Sequence, residues 1–252
     1  MNDAMAVVLA AGMGTRMRTE LPKVLCPALG RPMIEFVLDA LQSAGVKRIV
    51  VVVGYRADDV RSTLRHYKNL EFVDQTERLG TGHAVKMAYS QIKSSTGPVV
   101  VVAGDSPMIQ PESVRRLLSD FSATKPACLM GTLHKANPTG LGRIVRDAKG
   151  NFAAIVEEKD ATDEQRKITE VNMSTYVFSA PDLAWSLDHL KNENRQKEYY
   201  LTDAPGLLLA EGKTVQALPI LQECESLSIN TVDELVLVEA KMREMGYDKA
   251  RR

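Results

Sequence analysis

The chain has 252 residues, 44% hydrophobic and 25% charged, a composition suited to one large soluble globular domain with a sizeable core. Lysine plus arginine equals aspartate plus glutamate at 32 each, which excludes a global electrostatic drive toward nucleic acid or an anionic membrane. Cys26, Cys128 and Cys224 are odd in number, far apart and without zinc-ligand spacing. Neither a disulfide framework nor a zinc site is therefore indicated, and reduced thiols in a cytoplasmic protein are expected.

The N-terminus lacks a basic start and its apolar run breaks at glycine, so it reads as a first strand and not as a signal peptide. No apolar stretch is long enough to span a bilayer. Ala4 to Ala10 suits a buried parallel strand. Pro32 opens a helical pattern (Met33, Ile34, Val37, Leu38, Leu41) that stops at Gly45. Arg48 to Val53 is a second strand, Asp58 to His66 an amphipathic helix, and Glu71 to Asp74 a short strand. Gly82 to Ile92 reads as helix and Pro98 to Ala103 as the most apolar strand. Such alternation predicts βαβ units and a largely parallel sheet covered on both faces.

Beyond a soft boundary near residue 110 the pattern becomes β-rich. Ala127 to Leu133, Gly142 to Asp147, Phe152 to Glu157 and Glu170 to Phe178 read as strands, and Asp203 to Glu211 and Thr231 to Glu244 as helices. The expected fold is α/β, a doubly wound, mostly parallel mixed sheet with a β-rich insertion over the binding face. A first half (about 1–110), a second half (about 111–230) and a C-terminal helix and tail (231–252) are expected within a single domain of 1–252. The charged end after Met245 is expected to be loose.

In an open α/β sheet, ligands bind beyond the carboxyl ends of the strands, where the loop Ala11 to Glu20 must lie. Gly12 and Gly14 let backbone amides approach a phosphate, and Arg16 and Lys23 add two cations suited to a triphosphate. The loop lacks the glycine-lysine-serine/threonine of a P-loop, and Met17 stands where a dinucleotide fingerprint needs its third glycine. A glycine-rich turn with solvated cations is the bland alternative. Asp105, just past the most apolar strand, suits Mg²⁺ held by a carboxylate plus substrate phosphates, or caps a turn into the helix near Pro111. Asn230 is a candidate second oxygen ligand. Gly80 and Gly82 bracket Thr81 at a helix start, Gln75 can match one edge of a pyrimidine, and His83 reads as a packed or capping histidine.

LAAGMGTRM…LPK, QTERLGTGHA, AGDSP, PTGLGRI, IVEEKDAT, EVN, EYYLTD and IN occur in that order along almost the whole chain. Together they resemble the N-terminal uridylyltransferase domain of the bacterial bifunctional N-acetylglucosamine-1-phosphate uridylyltransferase/glucosamine-1-phosphate acetyltransferase family. The resemblance implies a Rossmann-like nucleotide-diphospho-sugar transferase fold. The implied reaction joins UTP and N-acetylglucosamine 1-phosphate, with Mg²⁺ as cofactor, to give UDP-N-acetylglucosamine and pyrophosphate. It places Arg16 and Lys23 in catalysis, and Leu9, Ala10, Ala11, Gly12, Gly14, Thr15, Gln75, Gly80 and Thr81 around the nucleotide. Gly140, Glu157, Asn172 and Thr202 fall around the sugar, and Asp105 and Asn230 on the metal. The resemblance thus implies that the first half of the chain binds nucleotide and the second half sugar. Small molecules are the implied partners, with neither nucleic acid nor membrane, and the sequence sets no oligomeric state.

Several positions depart from that family's pattern. Met13 replaces a polar or charged residue, Arg78 a frequent glutamine, Ala103 a frequent tyrosine, and Met173-Ser174 the usual Thr-Gly. These bear on which sugar is taken, since a pocket that loses hydrogen-bonding groups loses discrimination. A sibling enzyme using glucose 1-phosphate or dTTP is the near alternative, and a non-catalytic nucleotide-binding regulator the remote one. No hexapeptide repeats of the kind that build the family's acetyltransferase domain occur, so no acetyl transfer is expected.

Overall fold

The computed structural model describes residues 3–14, 17 and 19–248. The first half runs β1 (Met5–Ala10), a small ribbon of β2 (Pro27–Ala28) and β3 (Arg31–Pro32), α1 (Met33–Ser43), β4 (Arg48–Val53) and α2 (Ala57–Thr63). It continues through β5 (Leu70–Asp74), α3 (Thr81–Met87), α4 (Tyr89–Lys93), β6 (Val99–Ala103) and α5 (Pro111–Thr124). Then come β7 (Cys128–His134), β8 (Arg143–Arg146), β9 (Phe152–Val156), α6 (Asp163–Arg166) and β10 (Glu170–Phe178). The chain closes with α7 (Ala180–His189), α8 (Ala204–Ala210), β11 (Val215–Leu218) and α9 (Val232–Glu244).

The main sheet has the order β11-β7-β10-β6-β1-β4-β5, with β8 and β9 attached beside β10. β1 pairs parallel with β4 and β6, β4 with β5, and β11 with β7, whereas β10 runs antiparallel to both β6 and β7. The expected mixed, mostly parallel sheet is therefore found, and the reversal is confined to one strand of that path and the β8–β9 hairpin.

The continuous apolar runs follow from burial on both faces. On one face Ala6, Val8, Ile49, Val51, Val100 and Val102 meet Ile34, Val37, Leu38 and Leu41 of α1 and Val114, Leu117 and Leu118 of α5. On the other, Met5, Val7, Val50, Val52, Val99 and Val101 meet helices α3, α4, α7 and α8. Each fully buried aliphatic side chain is worth roughly 1.5–3 kcal/mol of transfer free energy, so the period-2 division of β1, β4 and β6 fixes their register. A third cluster joins Met17, Cys26, Met33, Met108, Ile229, Val238 and Met242, tying the glycine loop and α9 to the body.

Four expectations need correction. The helix expected over Gly82 to Ile92 divides at Ala88 into α3 and α4. The amphipathic pattern of Asp58 to His66 ends as helix at Thr63. Helix α7 and strand β11 form where the sequence had suggested neither. The end after Met245 is not loose as far as Asp248: Tyr247 lies 5.9 Å from the Phe36 ring and accepts a hydrogen bond from Gln110 Nε2 at 3.0 Å. Residues 249–252 lie outside the described residues.

One buried ionic network holds the second half together. Glu170, 5% exposed, accepts from Thr132 Oγ1 at 2.6 Å and from Arg146 Nε and Nη2 at 2.7 Å each. Burial alone would push its carboxyl up, but Arg146 and Thr132 outweigh that and hold it below the ordinary value. Its contribution to stability is therefore complete above the ordinary carboxylate pKa and is lost as pH falls through the lowered one. Glu170→Ala, which strands Arg146 and Thr132, should cost about 3 kcal/mol at neutral pH in urea unfolding. An unchanged midpoint would show the network to be dispensable.

Candidate active site

β1, β4, β5 and β6 all deliver their carboxyl ends to one edge, and the antiparallel β10 brings its N-terminal residues toward the same edge. The loop after β1 packs closely against its neighbours there. Gly104 N donates to Leu9 O at 2.9 Å, Tyr55 N to Ala11 O at 3.2 Å, and Gln75 N to Val53 O at 2.7 Å. A Cβ on Gly54 would stand 2.8 Å from that of Ala11, so the loop seats directly on the end of β4.

A cavity of about 290 Å³ opens at this edge. Leu9, Ala11, Gly12, Gln75, Gly80, Thr81 and Asp105 line it, joined by Arg78, Ala84, Ala103 and Glu198, which the motifs had not marked as ligand residues. Ala10 differs from its neighbours: it is 1% exposed with its methyl in the core, so only its backbone faces outward. Thr15 and Arg16 lie outside the described residues.

The cationic centre draws on three distant segments. Lys23 sits in a 3₁₀ turn (Lys23–Leu25) after Pro22, with its side chain 13% exposed. Its ammonium donates to Asp105 Oδ2 in a short ion pair and to Asn230 Oδ1 at 2.8 Å. Asn230 is set just before α9, where its backbone N–H donates to Glu234 Oε2 at 2.5 Å and its Nδ2 to Ser228 Oγ at 3.1 Å. Thr231 and Glu234 form the capping box that starts the helix. The alternative reading of Asp105 as a helix cap fails, because Gln110 precedes α5 and the carboxylate instead meets Lys23.

Gly14 explains how Lys23 reaches this position. Its φ of +68° is a left-handed conformation, and a Cβ there would stand 2.6 Å from Lys23 Cβ. Gly14→Ala should displace the lysine and lower turnover about 30-fold or more, while strain costs stability only about 1–2 kcal/mol. Steady-state kinetics beside thermal unfolding checks this, and normal turnover would show that the lysine does not depend on the close approach.

Gln75 is 5% exposed, and its Nε2 lies 3.1 Å from both Gly80 O and His83 Nδ1. His83 is therefore not a cap; Gly80 occupies that position of α3. Gly80 has φ +102°, and a Cβ on it would meet Tyr199 O at 2.6 Å. The Leu79–Gly82 loop is sewn to the later segment by Gly82 N donating to Tyr199 O at 2.8 Å and Tyr199 N to Leu79 O at 2.7 Å. Thr81 Oγ1 accepts from Leu201 N at 3.1 Å, bringing the neighbouring Thr202 to the same side.

Glu157, Asn172 and Thr202 form a second group around Gly142. Asn172 N donates to Gly142 O at 2.9 Å, and a Cβ on Gly142 would lie 3.6 Å from both Asn172 Cβ and Glu157 Oε1. Burial pushes the Glu157 carboxyl up, a hydrogen bond from Thr202 opposes this, and Asp203 and Asp160 add to the rise. Gly140 stands apart: it is exposed, and its N–H donates to Glu158 Oε2 at 3.3 Å. Tyr176 went unnoticed in the sequence because it reads as an ordinary strand aromatic. It is 1% exposed and accepts from Asn172 Nδ2 at 2.7 Å, while Ser174 N donates to Asn172 Oδ1 at 3.2 Å. The Met173-Ser174 departure falls on an irregularity of the β10–β7 ladder, where Ser174 holds φ +52°. Glycine adopts that conformation without strain, whereas serine must be forced into it.

The fold and this edge define a class before any particular relative. The chain belongs to the MobA-like NTP transferase domain family, which matches residues 6–173. It is 41% identical over 244 residues to the bifunctional protein GlmU of Shouchella clausii, covering 97% of this chain and 53% of that protein. The GlmU of Alkaliphilus oremlandii is 42% identical over 238 residues, covering 94% and 51%. The resemblance read from the eight motifs thus holds, and the chain spans about half the length of these relatives. Among solved structures, UDP-glucose pyrophosphorylase in complex with UDP-glucose has the same fold, with a TM-score of 0.77 over 96% of this chain and 98% of that one at 17% identity.

Proposed function

We propose that this domain is a sugar-1-phosphate uridylyltransferase that converts UTP and N-acetylglucosamine 1-phosphate to UDP-N-acetylglucosamine and pyrophosphate. The observation that carries the reading is the meeting of Lys23, Asp105 and Asn230 beside the cavity that Gln75 and Gly80 line. The GlmU relatives support the choice of sugar. The segment to about residue 110 supplies the nucleotide side, residues from about 111 to 230 the sugar side, and α9 carries Asn230 at its start. Among the described residues no helix is long and apolar enough to cross a membrane. The three cysteines are buried and free, in keeping with a cytoplasmic setting.

The oxygens of Asp105 and Asn230 already converge on one cationic group, the Lys23 ammonium, and both are hard donors. No group of three or more His, Cys, Asp or Glu side chains suited to a metal occurs among the described residues. That donor set fits Mg²⁺, which takes one or two protein oxygens and completes its shell with phosphates and water. Bound magnesium supplies Lewis-acid charge to the phosphates.

A sugar-phosphate oxygen is already anionic near neutral pH, so no general base is required. It attacks the α-phosphorus of UTP, the new P–O bond forms, the bond to the β-phosphate oxygen breaks, and pyrophosphate leaves. Lys23 and Arg16 offset the charge that gathers on the leaving group, with Gly12 and Gly14 presenting backbone to the phosphates, to which the motif also assigns Thr15. Gln75 and the Gly80 backbone hold the uracil beside Leu9, Ala10, Ala11 and Thr81. Glu157, Asn172 and Thr202 hold the sugar, and Gly140, which stands apart from them, is assigned to it by the motif alone. Supplying UTP, Mg²⁺ and a panel of sugar 1-phosphates should release pyrophosphate fastest with N-acetylglucosamine 1-phosphate. Faster turnover of glucose 1-phosphate would move the enzyme to the sibling class, and tight UTP binding without turnover would make it a regulator.

A further inference from the structure

The amide of Gln75 has a fixed orientation. Gly80 O, 3.1 Å away, can only accept, so the nitrogen and not the oxygen of the carboxamide must face it. That leaves one amide hydrogen, and His83 Nδ1 stands 3.1 Å from the same nitrogen. The imidazole therefore accepts through Nδ1 and carries its proton on Nε2. Both Gln75 N–H groups are consumed within the protein. Among the described residues no donor reaches Oε1, so an acceptor alone is left for a ligand.

This arrangement has a chemical consequence for the base. Uracil presents a donor at N3, whereas cytosine presents an acceptor at N3 and an amino group at C4. A carboxamide free to rotate could serve either base by exchanging its oxygen and nitrogen. One locked with its oxygen outward accepts from uracil N3–H and sets two lone pairs against each other with cytosine. Discrimination built on a committed polar group is far steeper than discrimination by size.

We infer that His83 is a positioning residue that, by taking the second amide hydrogen beside the Gly80 carbonyl, holds Gln75 in the uracil-reading orientation and so excludes cytidine triphosphate. The inference rests on the uridylyltransferase reading above and assigns the selectivity to a side chain that does not itself line the nucleotide cavity. Tyr199, whose ring centroid lies 6.4 Å from that of His83, helps to hold the imidazole in place.

The test compares the intact chain with His83→Phe, which keeps a ring without an acceptor, and His83→Asn, whose Oδ1 takes the place of Nδ1. Initial rates are measured with UTP and with CTP at saturating sugar 1-phosphate and Mg²⁺, alongside thermal unfolding of each variant. The wild type should prefer UTP by about 100-fold or more in kcat/KM. His83→Phe should raise KM for UTP about tenfold with kcat nearly unchanged, and should shrink the UTP preference by at least the same factor. His83→Asn should restore most of that preference.

A His83→Phe variant that retains the full preference overturns the inference. So does an equal loss with both nucleotides accompanied by lowered stability, or failure of His83→Asn to recover selectivity. A wild type inactive with UTP would instead remove the uridylyltransferase reading, so the two failures are distinct.

Discussion

Lys23→Ala should lower kcat about 10²–10³-fold, the loss expected when one group that stabilises developing charge is removed. The ammonium is the cationic group that unites Asp105 from the end of β6 with Asn230 from the start of α9. Alanine there removes the ammonium that both the Asp105 carboxylate and the Asn230 carboxamide accept from. Stability should change little by comparison, because the Asp105 side chain is 26% exposed and water can replace the lost partner. A structural lysine would show the opposite pattern, a fall in unfolding midpoint with turnover intact. Steady-state kinetics with parallel thermal unfolding separates the two.

Asp105→Asn should cost about 10³-fold in turnover, because it removes the negative charge proposed to hold the metal while keeping shape and one oxygen. The variant should also need at least tenfold more Mg²⁺ to reach half its own maximal rate. The substitution keeps an acceptor for Lys23, so the fold and the position of the ammonium persist. A rate that depends on Mg²⁺ as in the wild type would place the metal elsewhere. Initial rates over a Mg²⁺ titration, with circular dichroism to check the fold, distinguish the outcomes.

Periodicity alone located much of the sheet. β4 ends where its apolar run does, every residue after Arg48 being a buried isoleucine or valine, and β10 keeps the expected bounds although Glu170, Asn172, Ser174 and Thr175 interrupt its apolar positions. Helix α7 was missed because its apolar positions, Leu183, Ala184, Trp185 and Leu187, span little more than one turn of a short segment. Strand β11 has four residues, too few for alternation to show.

The site divided in a similar way. Glycines, Lys23 and Asp105 could be placed at one edge by topology, because the end of a parallel strand is a predictable location. That Lys23 bridges Asp105 and Asn230 could not be read, since 207 residues separate the lysine from the asparagine. Nor could the partners of Gln75 and Asn172. His83 and Tyr176 look like common core residues until their distances to those carboxamides are known. The departure at Ser174 acquired meaning only with its backbone angle, which shows a left-handed position occupied by serine.

A crystal structure of the chain with UDP-N-acetylglucosamine and Mg²⁺ tests the central claim most directly. The account predicts density for the metal between Asp105 and Asn230, Lys23 turned from those oxygens toward phosphate, and uracil N3 against Gln75 Oε1. Metal or nucleotide bound away from this edge, with Lys23 still seated between Asp105 and Asn230, would contradict it.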